Sequence, residues 1–271
     1  MPELTIQQYP VRPGLGRHLV LDPRSLAYRR AYDGQPLHPT AWEPRLPVLD
    51  QRNLTAQGIH TSAHGDIADV DALGSCTGNA ATALLSVLLD RDRAAAAGLD
   101  TRDAASAQRF AIDLYAQATT LDQWHEYTWP ATDCGSSGLG IAKALRARGL
   151  ISQYGHATTA EELCTLLQTG PVLMGMPWHA QFSTPDRDGF IDAVPGWLAS
   201  PLEGGHEVCL TALESVAPDG DRLLPEHTVL RFRNSWGRSW GDRGDGRLRL
   251  TTYLALRDQI DLVQPRRDHA T

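Results

Sequence analysis

The stretch that most constrains this chain is Leu73-Gly74-Ser75-Cys76-Thr77-Gly78-Asn79-Ala80, a cysteine at the doorstep of a helix. A polar, acidic loop precedes it (Gly65 to Asp71). An apolar Ala- and Leu-rich run follows it, from Ala80 to Leu89, and reads as a buried helix. A thiol at a helix N-terminus meets free N–H groups and the positive end of the dipole, which favour thiolate, the nucleophilic form. Lowering a thiol pKa from ~8.5 to ~4 stabilises the thiolate by about 6 kcal/mol. A helix end supplies only about 0.3–2 kcal/mol of that. A cationic partner must supply the rest, and a histidine is the residue type to look for.

Two downstream blocks carry candidates. Gly204-Gly205-His206-Glu207-Val208-Cys209-Leu210 puts a histidine at the head of an apolar run, and Phe232-Arg233-Asn234-Ser235-Trp236-Gly237-Arg238-Ser239-Trp240-Gly241 follows. His206 lies 130 residues after Cys76 and Asn234 lies 158 after it. The Gly-Ser-Cys, Gly-Gly-His and Asn-Ser-Trp-Gly-x-x-Trp-Gly motifs, in that order, resemble the papain-like cysteine peptidases. Gly-Ser-Cys alone is weak; the Asn234 block is long and chemically unusual. The resemblance covers roughly residues 45–260.

Length and composition agree with such a protein and exclude others. The chain has 271 residues, enough for two lobes with a substantial core, and 42% apolar with 21% charged residues is ordinary for a globular protein. A net charge of −7 does not suggest a nucleic-acid partner. No apolar stretch approaches the length of a membrane span, and Met1-Pro2-Glu3-Leu4 lacks a signal pattern, so a cytoplasmic location is the expectation. The four cysteines (Cys76, Cys134, Cys164, Cys209) form no Cys-x-x-Cys pair, and no cofactor or metal is called for. His60 and His64 read as solvated loop histidines. Secreted relatives carry a disulfide cysteine three residues before the nucleophile; Leu73 stands there, which fits a reducing compartment. The other three cysteines read as small buried apolar groups.

The fold class expected is α+β, since helical patterns precede strand patterns. The resemblance makes it a two-lobed papain-like fold: a helical lobe with a central helix (about 66–165), an antiparallel barrel-like β lobe (about 166–260), and the active-site cleft between them. Residues 1–47 read as a strap over the lobes or, alternatively, a short regulatory segment. Residues 48–264 form the catalytic domain, and 265–271 a frayed tail. Leu46 to Arg52 resembles the opening strand of the family's mature domain. Within the helical lobe, 76–97 reads as one helix ended by Gly98, 101–119 as a second and 138–149 as a third. Thr159 with Glu162 forms a capping pattern for a fourth. Strands are expected over 170–176, 208–213, 227–232 and 246–250. Trp124, Trp129, Trp178 and His179 are candidate cleft-wall residues.

By resemblance, Cys76 is the nucleophile, His206 the acid/base and Asn234 the residue that orients the imidazole, with Trp236 shielding that hydrogen bond. The expected substrate is a peptide or protein. One departure stands out. The family's glutamine six residues before the nucleophile donates to the oxyanion, and Val70 occupies that position. Losing such a donor costs about 10²–10³ in rate. Gln57, or more weakly Asn79, is a candidate replacement. Three readings stay open: a thiol peptidase or amidase, an acyl-transfer enzyme (ligase or cyclase) on the same triad, and a non-catalytic pseudopeptidase.

Overall fold

The computed structural model describes residues 14–19, 23–62, 69–123, 127–219 and 222–266. The first half supplies helices α1 (Cys76–Leu88), α2 (Arg91–Ala96), α3 (Ala104–Leu121) and α4 (Gly138–Ala147). α3 starts where the Asp103 carboxylate accepts from the backbone N–H groups of Ala105 and Ser106, and α4 where Ser137 accepts from Gly140 N–H. Just past α4, Gly149 takes a left-handed φ of 66°. The single helix expected over 76–97 is two. Leu89 is extended, and Asp90 caps α2 by accepting from Arg93 N–H, so a local capping side chain competes with helix continuation. α1 is buried from Cys76 to Ser86. Its small residues let α3 approach closely: a Cβ on Gly78 would stand 2.1 Å from the carbonyl oxygen of Ala111.

The second half supplies α5 (Ala160–Thr169), α6 (Leu250–Leu256) and most of a seven-stranded antiparallel sheet. Its order is β2 (Gln153–Gly155), β9 (Asp261–Arg266), β3 (Val172–His179), β4 (Leu202–Ser215), β7 (Val229–Arg233) and β8 (Asp245–Arg249), with β1 (Thr40–Ala41) also on β4. A separate hairpin joins β5 (Pro218–Asp219) to β6 (Arg222–Leu223). Among the described residues β2 and β8 end the strand order without pairing with each other. β3 and β4 bury both faces, which explains their continuous apolar runs. Leu173 and Cys209 pack into the helical core with Leu84, Leu114 and Ile141. Met174, Val208 and Leu210 pack on the other side with Leu163, Leu166 and Phe232.

Two boundaries differ from expectation. The sequence places α5 mostly in the helical lobe, yet Leu163, Cys164, Leu166 and Leu167 lie in the sheet core. Its capping box is as the sequence suggests: Thr159 Oγ accepts from Glu162 N–H, and the Glu162 carboxylate accepts in return. The expected tail from 265 begins inside β9, where Pro265 and Arg266 pair with Tyr154 and Gln153; residues 267–271 lie outside the described residues. Leu46 to Arg52 forms only bridging contacts, but decisive ones. Gln51 N–H donates to Ser235 O, Gly237 N–H to Leu49 O, and Leu73 N–H to Gln51 O. This segment ties the nucleophile loop to the Asn234 loop. Among the described residues no helix is long and apolar enough to cross a membrane.

Candidate active site

Cys76 is the first residue of α1. Side-chain amides hold the turn beneath it. Asn79 donates to the Ser75 carbonyl (2.9 Å) and hydroxyl (3.0 Å), and Gln108 on α3 donates to Asn79 Oδ1 (2.8 Å). Half-buried Asp133 fixes the loop in front, accepting from Gly74 N–H at 2.9 Å and Tyr115 O–H at 2.8 Å. Tyr115 in turn accepts from Gly135 N–H at 3.0 Å. These bonds tie the two loops on the helical side together.

From the other lobe, β4 brings His206 and the turn after β7 brings Asn234. His206 Nε2 donates to Asn234 Oδ1 at 2.7 Å, which assigns the ring proton to Nε2 and leaves a lone pair on Nδ1. Nδ1 is buried with no hydrogen-bond partner among the described residues. Trp178 stands edge-on to the imidazole at 4.6 Å between centroids, and Trp236 lies tilted over it at 4.9 Å. Arg52 stacks on Trp236 at 4.3 Å. The backbone N–H of Glu207, the residue after His206, points at the Cys76 sulfur, which brings this part of β4 against the head of α1.

The strap occupies that cleft. Trp236 Nε1 donates to Gly14 O (3.0 Å), Ser136 N–H to Gly16 O (2.7 Å), Arg17 N–H to Gly205 O (3.0 Å) and His18 N–H to Ser136 O (2.9 Å). Gly16 presents its own N–H to the sulfur alongside those of Glu207 and Thr77. What reaches the nucleophile is thus a donor, not a carbonyl carbon. Burial pushes the Cys76 thiol up to about 12, outweighing these three N–H groups. Burial pushes His206 down to about 4, against the Asn234 hydrogen bond, with Arg52 adding to the fall. Burial thus works against the thiolate expected from the helix end, and against an imidazolium as well.

Solved structures share this architecture. The chain superposes on xylellain, a cysteine protease from Xylella fastidiosa, with a TM-score of 0.62 at 16% identity, covering 95% of this chain and 97% of that one. This is a papain-like cysteine-protease fold. Digestive procathepsin L 3 of Tenebrio molitor also aligns, with a TM-score of 0.49 at 13% identity over 93% of this chain and 76% of that one. No protein-family model matches the chain, and no curated protein sequence does.

Of the candidate site residues, Asn234 accepts from His206 and Trp236 packs on the His206 ring, while Cys76 heads α1. Gln57 donates instead to the carbonyls of Asp50 (2.6 Å) and Asn53 (3.0 Å), and the Asn79 amide is committed beneath Ser75. Val70 packs in a small apolar cluster with Leu54, Leu73 and Tyr115. Thr77, next to the nucleophile, has a buried hydroxyl without a partner among the described residues. Trp129 is core, tilted against Tyr115, and Trp178 is a fully buried support of the imidazole. His179 packs edge-on to Phe182 and Trp197. Trp124 and His64 lie outside the described residues, and His60 pairs with Asp69 at 2.6 Å. Cys164 and Cys209 are buried; Cys134 is half-buried. No cluster of three potential metal ligands occurs among the described residues. Sequence reasoning missed Arg17, Asp133 and Glu207. Charged residues in loops and beside glycines carry no periodic signal, although Glu207 inside an apolar strand run was a visible anomaly.

Proposed function

We propose that the chain is a thiol peptidase or amidase held latent by its own strap. The observation that carries this is the His206 Nε2–Asn234 Oδ1 bond of 2.7 Å, which leaves Nδ1 without a hydrogen-bond partner among the described residues, on the strand whose Glu207 N–H points at the Cys76 sulfur. Once the strap moves aside, water returns and the desolvation holding both groups neutral is relieved. Nδ1 takes the Cys76 proton as the sulfur attacks an amide carbonyl. The imidazolium gives that proton to the departing amine, leaving a thioester. Water, deprotonated by Nδ1, then hydrolyses it and returns free thiol. Asn234 keeps the ring in register throughout, and Trp178 and Trp236 keep water from that hydrogen bond. The N–H groups at the head of α1 supply the fixed portion of the oxyanion hole.

The commitments of Gln57 and Asn79, with Val70 where a donor is expected, favour a second reading: a pseudopeptidase that keeps the cleft without turnover. Labelling with an epoxysuccinyl cysteine-protease probe, followed by intact mass and peptide mapping, separates the two. Single labelling at Cys76 that is lost in His206→Ala supports the peptidase. Slow, equal labelling of several cysteines, unaffected by His206→Ala, supports the pseudopeptidase.

A further inference from the structure

The strap does more than cover the sulfur: it buries an arginine. Arg17 is 4% exposed although its backbone crosses the open side of the cleft. Its side chain runs over Gly175 of β3, where a Cβ would come within 2.4 Å of Arg17 Nε and 2.5 Å of Glu207 Oε2. Guanidinium and carboxylate thus both approach a glycine that leaves them room, without a hydrogen bond between them: Arg17 Nε and Nη2 have no partner among the described residues. Arg17 Nη1 donates to Gln259 O at 3.0 Å, two residues before Asp261, whose carboxylate is the largest stabilising charge on Arg17; Glu207 is the next. Both Glu207 oxygens are buried, and neither has a hydrogen-bond partner among the described residues. The space holding Arg17 is therefore a buried site with two acids, one of them unsatisfied, and one cation lent by the strap.

This space opens onto the reacting atoms. Arg17 N–H pairs with Gly205, the residue before His206; Glu207 is the residue after it; and Gly16, one residue away, touches the sulfur. Any extended peptide that pairs with Gly205 and Ser136 as the strap does would send a side chain into the same space. We propose that this pocket, walled by Glu207 and Asp261, selects an arginine or lysine side chain of the substrate next to the scissile bond, and that Arg17 is its resident stand-in. A buried acid gains from a cationic hydrogen-bond donor and gains nothing from an apolar side chain, so a basic residue is favoured. The Gln259 carbonyl, a directional acceptor, favours guanidinium over ammonium.

The proposal rests on the peptidase reading, and the test keeps the two apart. Full-length wild type, Arg17→Ala, Arg17→Lys and Arg17→Ala/Glu207→Gln proteins are treated with dipeptidyl acyloxymethyl ketones. These carry arginine, leucine or glutamate at either of the two positions before the ketone, and Cys76 labelling rates are read by intact mass. In Arg17→Ala an arginine probe should label at least about tenfold faster than its leucine counterpart, and Glu207→Gln should bring that ratio to near one. Leucine or glutamate labelling as fast as arginine, or an arginine preference indifferent to Glu207→Gln, overturns the pocket and leaves the peptidase standing. A second readout needs no reactivity: millimolar n-butylguanidinium should raise the Tm of Arg17→Ala and not that of the double variant. If no probe labels any protein, the peptidase reading falls, and this Tm shift decides the pocket alone. Arg17→Lys, which keeps a cation in the pocket, should show no such arginine preference, and Arg17→Gln replaces Arg17→Ala if the latter does not fold.

Discussion

Gly16 of the strap passes Gly74 of the nucleophile loop so closely that a Cβ on Gly16 would lie 1.8 Å from the Gly74 carbonyl oxygen. A side chain there cannot be absorbed by a rotamer change, because the obstacle is backbone. Gly16→Ala is therefore expected to push the strap off the cleft while leaving both lobes intact. Epoxysuccinyl labelling of Cys76 should accelerate by about tenfold or more, corresponding to roughly 1.4 kcal/mol or more of lost strap binding. An unchanged rate would mean that the strap does not limit access.

The hydrogen bond from His206 to Asn234 should matter more to rate than to folding. Asn234→Ala removes the acceptor that fixes the Nε2–H tautomer, and bonds of this kind to an ionising group are worth about 1.5–3 kcal/mol. Peptide-amide kcat/KM in the Gly16→Ala background should fall by about 10- to 150-fold, read by steady-state kinetics. A drop confined to Tm, with kcat/KM retained, would remove Asn234 from the mechanism.

Two buried groups give stability opposite pH dependences. Burial, then Asp261, raises Glu207 from 4.5 to about 8, against the pull of Arg17. Its contribution is fully present below about 4.5 and is lost as pH rises through about 8. His206 is depressed from 6.5 to about 4, so its contribution is present above 6.5 and is lost as pH falls through about 4. Urea unfolding of wild type and Glu207→Gln between pH 5 and 8 checks the first. The wild-type stability should decline more steeply with rising pH than that of the variant, and parallel curves would remove Glu207 as a titrating group. His206→Gln should likewise flatten the acid side of the profile.

The approach of α1 to α3 should be intolerant of a single methyl group. A Cβ on Gly78 would meet the Ala111 carbonyl at 2.1 Å, so Gly78→Ala must push these buried helices apart. A loss of about 1–3 kcal/mol in urea unfolding is expected despite the better helix propensity of alanine. No loss, or a gain, would show that the helices have slack.

Restoring the missing donor tests the oxyanion hole. Val70→Gln in the Gly16→Ala background should raise kcat, by up to about 10²–10³ if the Cys76 N–H now acts without a side-chain partner. An unchanged kcat would point to a donor already in place, and the free Thr77 hydroxyl is the first to substitute.

Local chemistry sufficed for much of this protein. Asp103, Ser137 and the Thr159–Glu162 pair cap the helices they announce, because capping involves residues three apart. The apolar runs at Val172 and Val208 made strands, and the spaced Cys76, His206 and Asn234 motifs pointed to a papain-like fold. The break at Asp90 was equally local, but an Ala-rich continuation concealed it. Other features required the folded chain. The surroundings of Cys76 and His206 come from segments far away in sequence: Gly16 of the strap presents its N–H to the Cys76 sulfur, and Trp178 and Trp236 pack on the His206 ring. The meeting of Arg17, Glu207 and Asp261 joins the strap, β4 and the start of β9, segments with no common sequence period. Desolvation and Coulomb interactions depend on distance in space rather than along the chain, so only the tertiary structure could decide them.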